Sequence, residues 1–105
     1  MIVSLNGKIV ELLLDKVILE VSGIGYECFI SKMSFDILSN YDKKIDAKLI
    51  IYHHINEGNQ CLFGFTNIDE KNIFLLLISV SGIGPKTAIQ FLSNTTSKDL
   101  EEKII

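Results

Sequence analysis

The sequence predicts a small all-β barrel followed by a compact α-helical unit, and three observations carry that expectation. Up to residue 65 the apolar side chains fall in short, β-branched runs with strand-like alternation, whereas from Thr66 onward they recur at helical spacing. Turn residues separate the early runs at short intervals, as an all-β fold requires. The pentapeptide Val-Ser-Gly-Ile-Gly occurs twice, at 21–25 among strand-like runs and at 80–84 between helix-like ones.

The first strand pattern spans residues 2–14 and is interrupted by Asn6-Gly7. Asn-Gly is a hairpin signal, but a glycine inside one long strand marks a bulge or a barrel bend. The short flanking runs leave both readings open. Asp15-Lys16 reads as a turn, residues 17–21 as a second strand and residues 26–30 as a third. Between those two strands, Gly23 and Gly25 of the first pentapeptide are expected to build a hairpin turn. Ser34 is the expected N-cap of a short helix through Phe35, Ile37 and Leu38. Residues 45–55 form the next strand, with Ile45, Ala47, Leu49 and Ile51 expected to point inward. His53 and His54 are adjacent and so face opposite sides of that strand, which suits half-exposed histidines better than a metal pair. Asn56-Glu57-Gly58-Asn59 is a turn, and residues 60–65 close the strand set.

About five short strands and one small helix point to an all-β OB-type barrel. Such barrels commonly stack single-stranded bases on surface aromatics. Tyr26, Phe29, Tyr52, Phe63 and Phe65 are available, but their alternation with polar residues assigns them to the barrel core.

From Thr66 the period changes. Asn67 and Glu70 fit a capping box, with Asn67 as N-cap and Glu70 at the third helical position. Ile73, Phe74, Leu76, Leu77 and Val80 form a wide apolar stripe on the helix that follows. A second helix continues the buried face with Ile89 and Leu92. Residues 93–96 read as a break, and Ser97 as the cap of a last helix over 98–105. The order helix, glycine hairpin, helix makes residues 66–105 a small α-helical helix-hairpin-helix domain, the arrangement of a sequence-independent DNA-backbone binder.

The hairpin between these helices, residues 80–88, is the candidate site. Gly82 and Gly84 keep Cβ atoms away from a close ligand. Pro85 favours the first position of the next helix and has no N–H of its own. The backbone N–H groups around Ser81, Gly82, Ile83, Gly84 and Thr87, with the helix dipole behind them, are suited to an anion such as a DNA phosphate. Lys86 adds a full positive charge, and Ala88 is small enough for the helices to approach closely. A tight turn whose glycines serve geometry alone is the plainer alternative.

Composition narrows the functional classes. At 105 residues and 48% apolar, the chain suits one compact domain or two very small ones. No apolar run approaches a membrane span and the N-terminus lacks signal-peptide form, so a cytoplasmic protein is expected. Ten lysines, no arginine and a net charge of −3 count against a broad basic nucleic-acid surface. Any DNA contact must be local, or be multiplied in an oligomer. Cys28 and Cys61 lack C-x-x-C spacing and read as core thiols, with neither a zinc site nor a disulfide framework. No nucleophile–base pair, metal cluster or cofactor motif is present, so an enzyme is not expected.

Several stretches together resemble the RuvA family. They are Met1-Ile2 with Gly7, then Val21-x-Gly23-x-Gly25-Tyr26-Glu27, then Leu62-Phe63-Gly64-Phe65. Phe74-x-x-Leu77-Ile78 and Val80-Ser81-Gly82-Ile83-Gly84-Pro85-Lys86 continue the likeness along the whole chain. The resemblance implies a non-catalytic subunit that binds Holliday (four-way) junctions in recombination and DNA repair. It further implies support of branch migration by a RuvB-type ATPase, with the RuvC nuclease cutting the junction later. Residues 1–65 would be an OB-fold barrel forming a homotetramer, and residues 66–105 the DNA-binding domain. Glu57 matches the first acid of the family's acidic pin, which parts strands at the crossover. The second acid is Gly58 here, and Asn56 stands where a basic residue is often found. A solvated charge on a hairpin tip is the alternative for Glu57. The family carries a second helix-hairpin-helix, a linker and a small RuvB-binding domain. This sequence ends at Ile104-Ile105 as the second motif should begin, so direct RuvB binding is not expected of these residues. The competing class is a helical protein-interaction or assembly module without direct DNA binding, which the acidic composition favours.

Overall fold

The computed structural model describes residues 1–80 and 82–94. Ser81 and the expected last helix with its Ser97 cap lie outside the described residues. The first part of the chain forms β1 (Ser4–Leu12), β2 (Lys16–Val21), β3 (Ile24–Phe29), α1 (Lys32–Ser39), β4 (Ala47–Asn56) and β5 (Asn59–Phe65). The strands close into a barrel in the order β1-β2-β3-β5-β4, with β4 pairing back onto β1. All pairings are antiparallel except β3 with β5. Two helices follow, α2 (Ile68–Ile78) and α3 (Pro85–Asn94).

β1 is one continuous strand, which resolves the ambiguity at Asn6-Gly7. Its first half pairs with β4 (Gly7 opposite Ala47) and its second half with β2 (Lys8 opposite Glu20). At Gly7 the strand passes so near its neighbour that a Cβ would collide with the Glu20 carbonyl oxygen and lie 2.8 Å from a Val21 methyl. The glycine is needed for that close approach, where one strand serves two partners.

Leu5, Val17, Leu19, Cys28, Ala47, Leu49 and Ile51 fill the barrel, with Leu38 of α1 joining the same cluster. Ile45, expected inward, precedes β4 and is 60% exposed. The expected aromatic core is also corrected. Phe63 and Phe65 are buried, but on the outer wall of the barrel, where with Phe29 and Tyr52 they meet the helices. Of the five aromatics assigned to the core, Tyr26 alone packs against the interior cluster. Leu62 and Gly64, the alternate residues of β5, face the interior instead. Phe74 of α2 enters this outer cluster, its ring centroid 5.0 Å from Phe65, 5.4 Å from Tyr52 and 5.5 Å from Phe63. Tilted ring packing of this kind adds to the area buried, and it attaches the helices to the barrel.

Further corrections concern helix limits. α1 begins before Ser34. Its N-cap is Ser31, whose hydroxyl accepts the Ser34 N–H at 3.2 Å. Asn67 caps α2 as expected, accepting the Glu70 N–H at 2.9 Å. Of the expected stripe, Ile73, Phe74 and Leu77 on α2 are buried, while Leu76 (47%) and Val80 (52%), the latter beyond the helix end, are exposed. α3 runs through Ser93 and Asn94, expected as a break. The Ser93 hydroxyl turns back to the Ile89 carbonyl at 2.9 Å and accepts the Lys32 N–H of α1 at 3.2 Å, so this last turn is held against the barrel unit. Ala88, Ile89 and Leu92 are buried against α2 and the barrel wall.

Candidate nucleic-acid interface

The α2–α3 connection is a tight reversal. The Val80 N–H donates to the Leu77 carbonyl at 3.1 Å, ending α2, and the Ile83 N–H donates to the Val80 carbonyl at 3.2 Å. Gly82 occupies the third position of that turn at φ 88°, a conformation that favours glycine. Ile83 packs inward against the aromatic cluster, while Gly82 and Gly84 stay exposed. No atom lies within 4 Å of where a Cβ at either glycine would stand, so the outer side of the hairpin is open to a ligand.

α3 starts at Pro85, and its first intrahelical bond runs from the Ala88 N–H to the Gly84 carbonyl at 3.0 Å. By helix geometry the N–H groups of Gly84, Lys86 and Thr87 have no acceptor within the helix. Lys86 and Thr87 are exposed. The Lys86 ammonium stands 5.2 Å from the Phe29 ring centroid, on the barrel wall. Such a contact at an exposed site is worth about 0.5–1 kcal/mol, enough to bias the charge toward the barrel.

That bias brings two candidate regions together. β4 and β5 are joined at Glu57-Gly58, with Asn56 paired to Asn59 and Gly58 at φ 73°. Glu57 is exposed at this tip. Just below it, a cleft of about 280 Å³ runs between the β4–β5 hairpin and the amino end of α3. One wall carries His54, Asn56, Asn59, Cys61 and Phe63, and the other Gly84, Pro85, Lys86 and Thr87. Ser81 lies outside the described residues.

His54, Asn56 and Asn59 were not singled out as site residues by sequence. Only the pairing of the β4–β5 hairpin over the helices brings them opposite Lys86. His54 stacks on Tyr52, with ring centroids 6.0 Å apart, and its Nε2 lies 3.4 Å from the Asn56 amide nitrogen. His53, on the other face, accepts the Ile2 N–H at Nδ1 (3.1 Å), which leaves Nε2 to donate to Gln60 Oε1 at 2.9 Å. It ties down the chain start and takes no part in the cleft.

The remaining polar chemistry is quiet. Both cysteines are free, and burial, reinforced by the charge of Glu27, pushes the Cys28 thiol up to about 12. A protonated thiol in the barrel interior is inert. Among the described residues, no three His, Cys, Asp or Glu side chains come together as a metal-binding group. Nor is any described helix long and apolar enough to cross a membrane. The cleft offers backbone donors, the Lys86 ammonium, side-chain amides, the His54 imidazole and the Cys61 thiol, and its ammonium and N–H donors are groups that pair with an anion.

Barrel topology and glycine hairpin together define the class: an OB-type barrel fused to a helix-hairpin-helix unit. Residues 1–64 match the family described as the RuvA N terminal domain, and residues 74–105 match the SAM-like helix-hairpin-helix tandem. The chain belongs to the RuvA family. Its relatives include the Holliday junction branch migration complex subunit RuvA of Syntrophotalea carbinolica, 38% identical over 104 residues, covering 99% of this chain and 51% of the relative. The proteins of the same name from Amoebophilus asiaticus and Parabacteroides distasonis are 40% identical over 105 residues and 43% identical over 104. These matches cover 100% and 99% of this chain, and 53% and 52% of the relatives. The chain thus spans about half the length of the curated relatives it matches.

Proposed function

We propose that this chain is a non-catalytic, structure-specific DNA-binding subunit that recognises four-way junctions and supports branch migration. Residues 1–65 serve assembly and residues 66–105 grip DNA. The observation that carries the reading is the cleft in which the amino end of α3 faces the β4–β5 hairpin. Backbone N–H groups of Gly82, Gly84, Lys86 and Thr87, with the Lys86 ammonium, hold a phosphate of one arm, and Ser81 belongs to the same hairpin. Ile83 shapes that hairpin instead of binding, because its N–H is committed to the Val80 carbonyl. Glu57 at the neighbouring tip repels phosphates at the crossover, so grip and repulsion lie side by side. Shape, not base identity, is then what the protein reads.

In this reading four copies form a ring through their barrels, a RuvB-type ATPase drives migration, a RuvC-type nuclease acts on the same junction, and the work is cytoplasmic. A gel-shift comparison of four-way junction, linear duplex and single strand tests the central claim. Junction binding well above duplex binding is expected, and equal affinity for all three overturns it. Sedimentation at tens of micromolar, about the range for a stable assembly, should show a tetramer and not a monomer.

One observation favours a second reading, a helical interaction module. Leu76 on α2 and Val80 just beyond its end are about half exposed, and Leu75 is exposed beside them. Apolar side chains left open on one helix suit a protein partner. Loss of partner binding but not DNA binding on Leu76→Ser with Val80→Ser would support that module as a separate activity.

A further inference from the structure

Barrel and helices meet at a buried polar knot outside the DNA-facing cleft. Glu70, in the first turn of α2, is 1% exposed. Its Oε2 accepts the Ser31 hydroxyl at 2.7 Å and its Oε1 accepts the Ser34 hydroxyl at 2.9 Å. Both serines are fully buried at the amino end of α1, which belongs to the barrel unit. The expected capping box is thereby corrected. Asn67 caps α2, but the Glu70 carboxylate is engaged by α1 instead of folding back on its own helix. A second tie lies beside it, where the Lys32 N–H donates to the Ser93 hydroxyl of α3 at 3.2 Å.

A buried carboxylate is a costly way to fill space, because desolvation opposes its charge. An apolar side chain would adhere equally well, as Phe74 does a turn further on. What two short hydrogen bonds add is direction. Ring contacts survive small sliding movements, whereas both hydroxyls reach both carboxylate oxygens in only one arrangement of α1 against α2. All of the buried side-chain polar atoms described are satisfied in that arrangement.

We propose that Glu70 is a positioning residue: through Ser31 and Ser34 it fixes the angle between barrel and helical hairpin, and hence the spacing of the β4–β5 tip from the amino end of α3. Its effect on DNA rests on the junction-binding reading above, whereas its effect on geometry does not. The geometry is tested with spin labels at Lys48→Cys on β4 and Gln90→Cys on α3, in a Cys61→Ser background diluted with unlabelled protein. Electron–electron distance measurements should give one narrow distribution with Glu70 present, a broader one in Glu70→Ala, and a return toward the narrow one in Glu70→Gln, which keeps an acceptor. A second variant, Glu70→Leu with Ser31→Ala and Ser34→Ala, replaces the knot by apolar contacts and guards against simple unfolding. It too should broaden the distribution while the protein stays folded. A narrow distribution in this triple variant overturns the proposal. In binding assays the triple variant should keep its duplex affinity and lose about tenfold of its preference for junction over duplex. Broadening without any change in that preference overturns the claim that the knot serves DNA recognition. A parent protein without junction preference removes the functional reading, and the distance distributions then decide the geometric proposal alone.

Discussion

The two copies of Val-Ser-Gly-Ile-Gly form turns with the same glycine in the same place. Gly23 has φ 86° and Gly82 has φ 88°. In the first copy Ser22 and Gly23 both take positive φ and connect β2 to β3, with Val21 paired to Ile24, as two-residue strand hairpins prefer. In the second, the Ile83 N–H returns to the Val80 carbonyl and the chain enters α3. Gly25, expected in the turn, already lies in β3 opposite Glu20, while its counterpart Gly84 accepts the first hydrogen bond of a helix. Two positions further on, the contrast is one of charge. Glu27 sits in β3 beside Lys16 at 3.6 Å, and Lys86 sits at a helix amino end. The pentapeptide by itself encodes a reversal and nothing more. The following residues decide whether the chain leaves the turn as a strand, as in β3, or as a helix, as in α3.

The largest expected separation between the copies is at Lys86. Lys86→Glu, which gives the second copy the charge of the first, should weaken junction binding by at least about tenfold at low salt. It should also lower the salt slope by about 0.9 for each phosphate that is no longer neutralised. Thermal unfolding should be little changed, because Lys86 is exposed. Unchanged affinity and slope would remove Lys86 from the site.

Next comes the shared glycine. Alanine at Gly23 or Gly82 meets no atom within 4 Å, so only backbone strain is involved, about 1–2 kcal/mol at either site. Urea melts should show similar losses for the two variants. DNA binding should separate them, falling in Gly82→Ala and holding in Gly23→Ala, and equal binding by both would show that the second hairpin is a turn alone.

A pH effect distinguishes the unit that carries the second copy. Burial raises the Glu70 carboxyl from its ordinary 4.5, against the opposing hydrogen bonds of Ser31 and Ser34. The folded protein therefore holds this proton more tightly than the unfolded chain. From 4.5 up to the raised value the unfolded state binds fewer protons, so stability falls as pH rises through that window. Glu70→Gln should flatten this part of the profile in urea melts at a series of pH values. A slope that survives the substitution would assign it to another group.

The smallest stability effect is expected at the last glycine of each copy. Neither Gly25 nor Gly84 has positive φ, and an added Cβ meets only an Ile18 methyl at 3.6 Å in the first case and nothing in the second. Both alanine variants should stay within about 0.5 kcal/mol of the parent. Gly84→Ala should still weaken DNA binding, since its methyl stands where a phosphate would approach. Equal DNA affinity of Gly84→Ala and the parent would place the phosphate elsewhere on the hairpin.

Sequence alone determined the order of the described elements, the change from strand to helix near Thr66, the Asn67 cap, both glycine reversals and the start of α3 at Pro85. Each depends on residues within a turn or two of one another, where local sterics and hydrogen bonding act directly. The inward side of β4 was legible from its alternation, with Ala47, Leu49 and Ile51 in the barrel, but tertiary structure alone decided which face of β5 meets what. β5 is apolar on both faces, so alternation could not say that Leu62 points into the barrel and Phe63 toward Phe74. Glu70 fitted a local capping box, yet closing the barrel brought Ser31 and Ser34, 39 and 36 residues away, within hydrogen-bond reach. His54 and Asn56 became neighbours of Lys86 by the same closure. Local propensities specify elements. The contacts that join distant segments arise only when the barrel shuts and the helices settle against its wall, because burial and hydrogen-bond satisfaction are then decided for all of them at once.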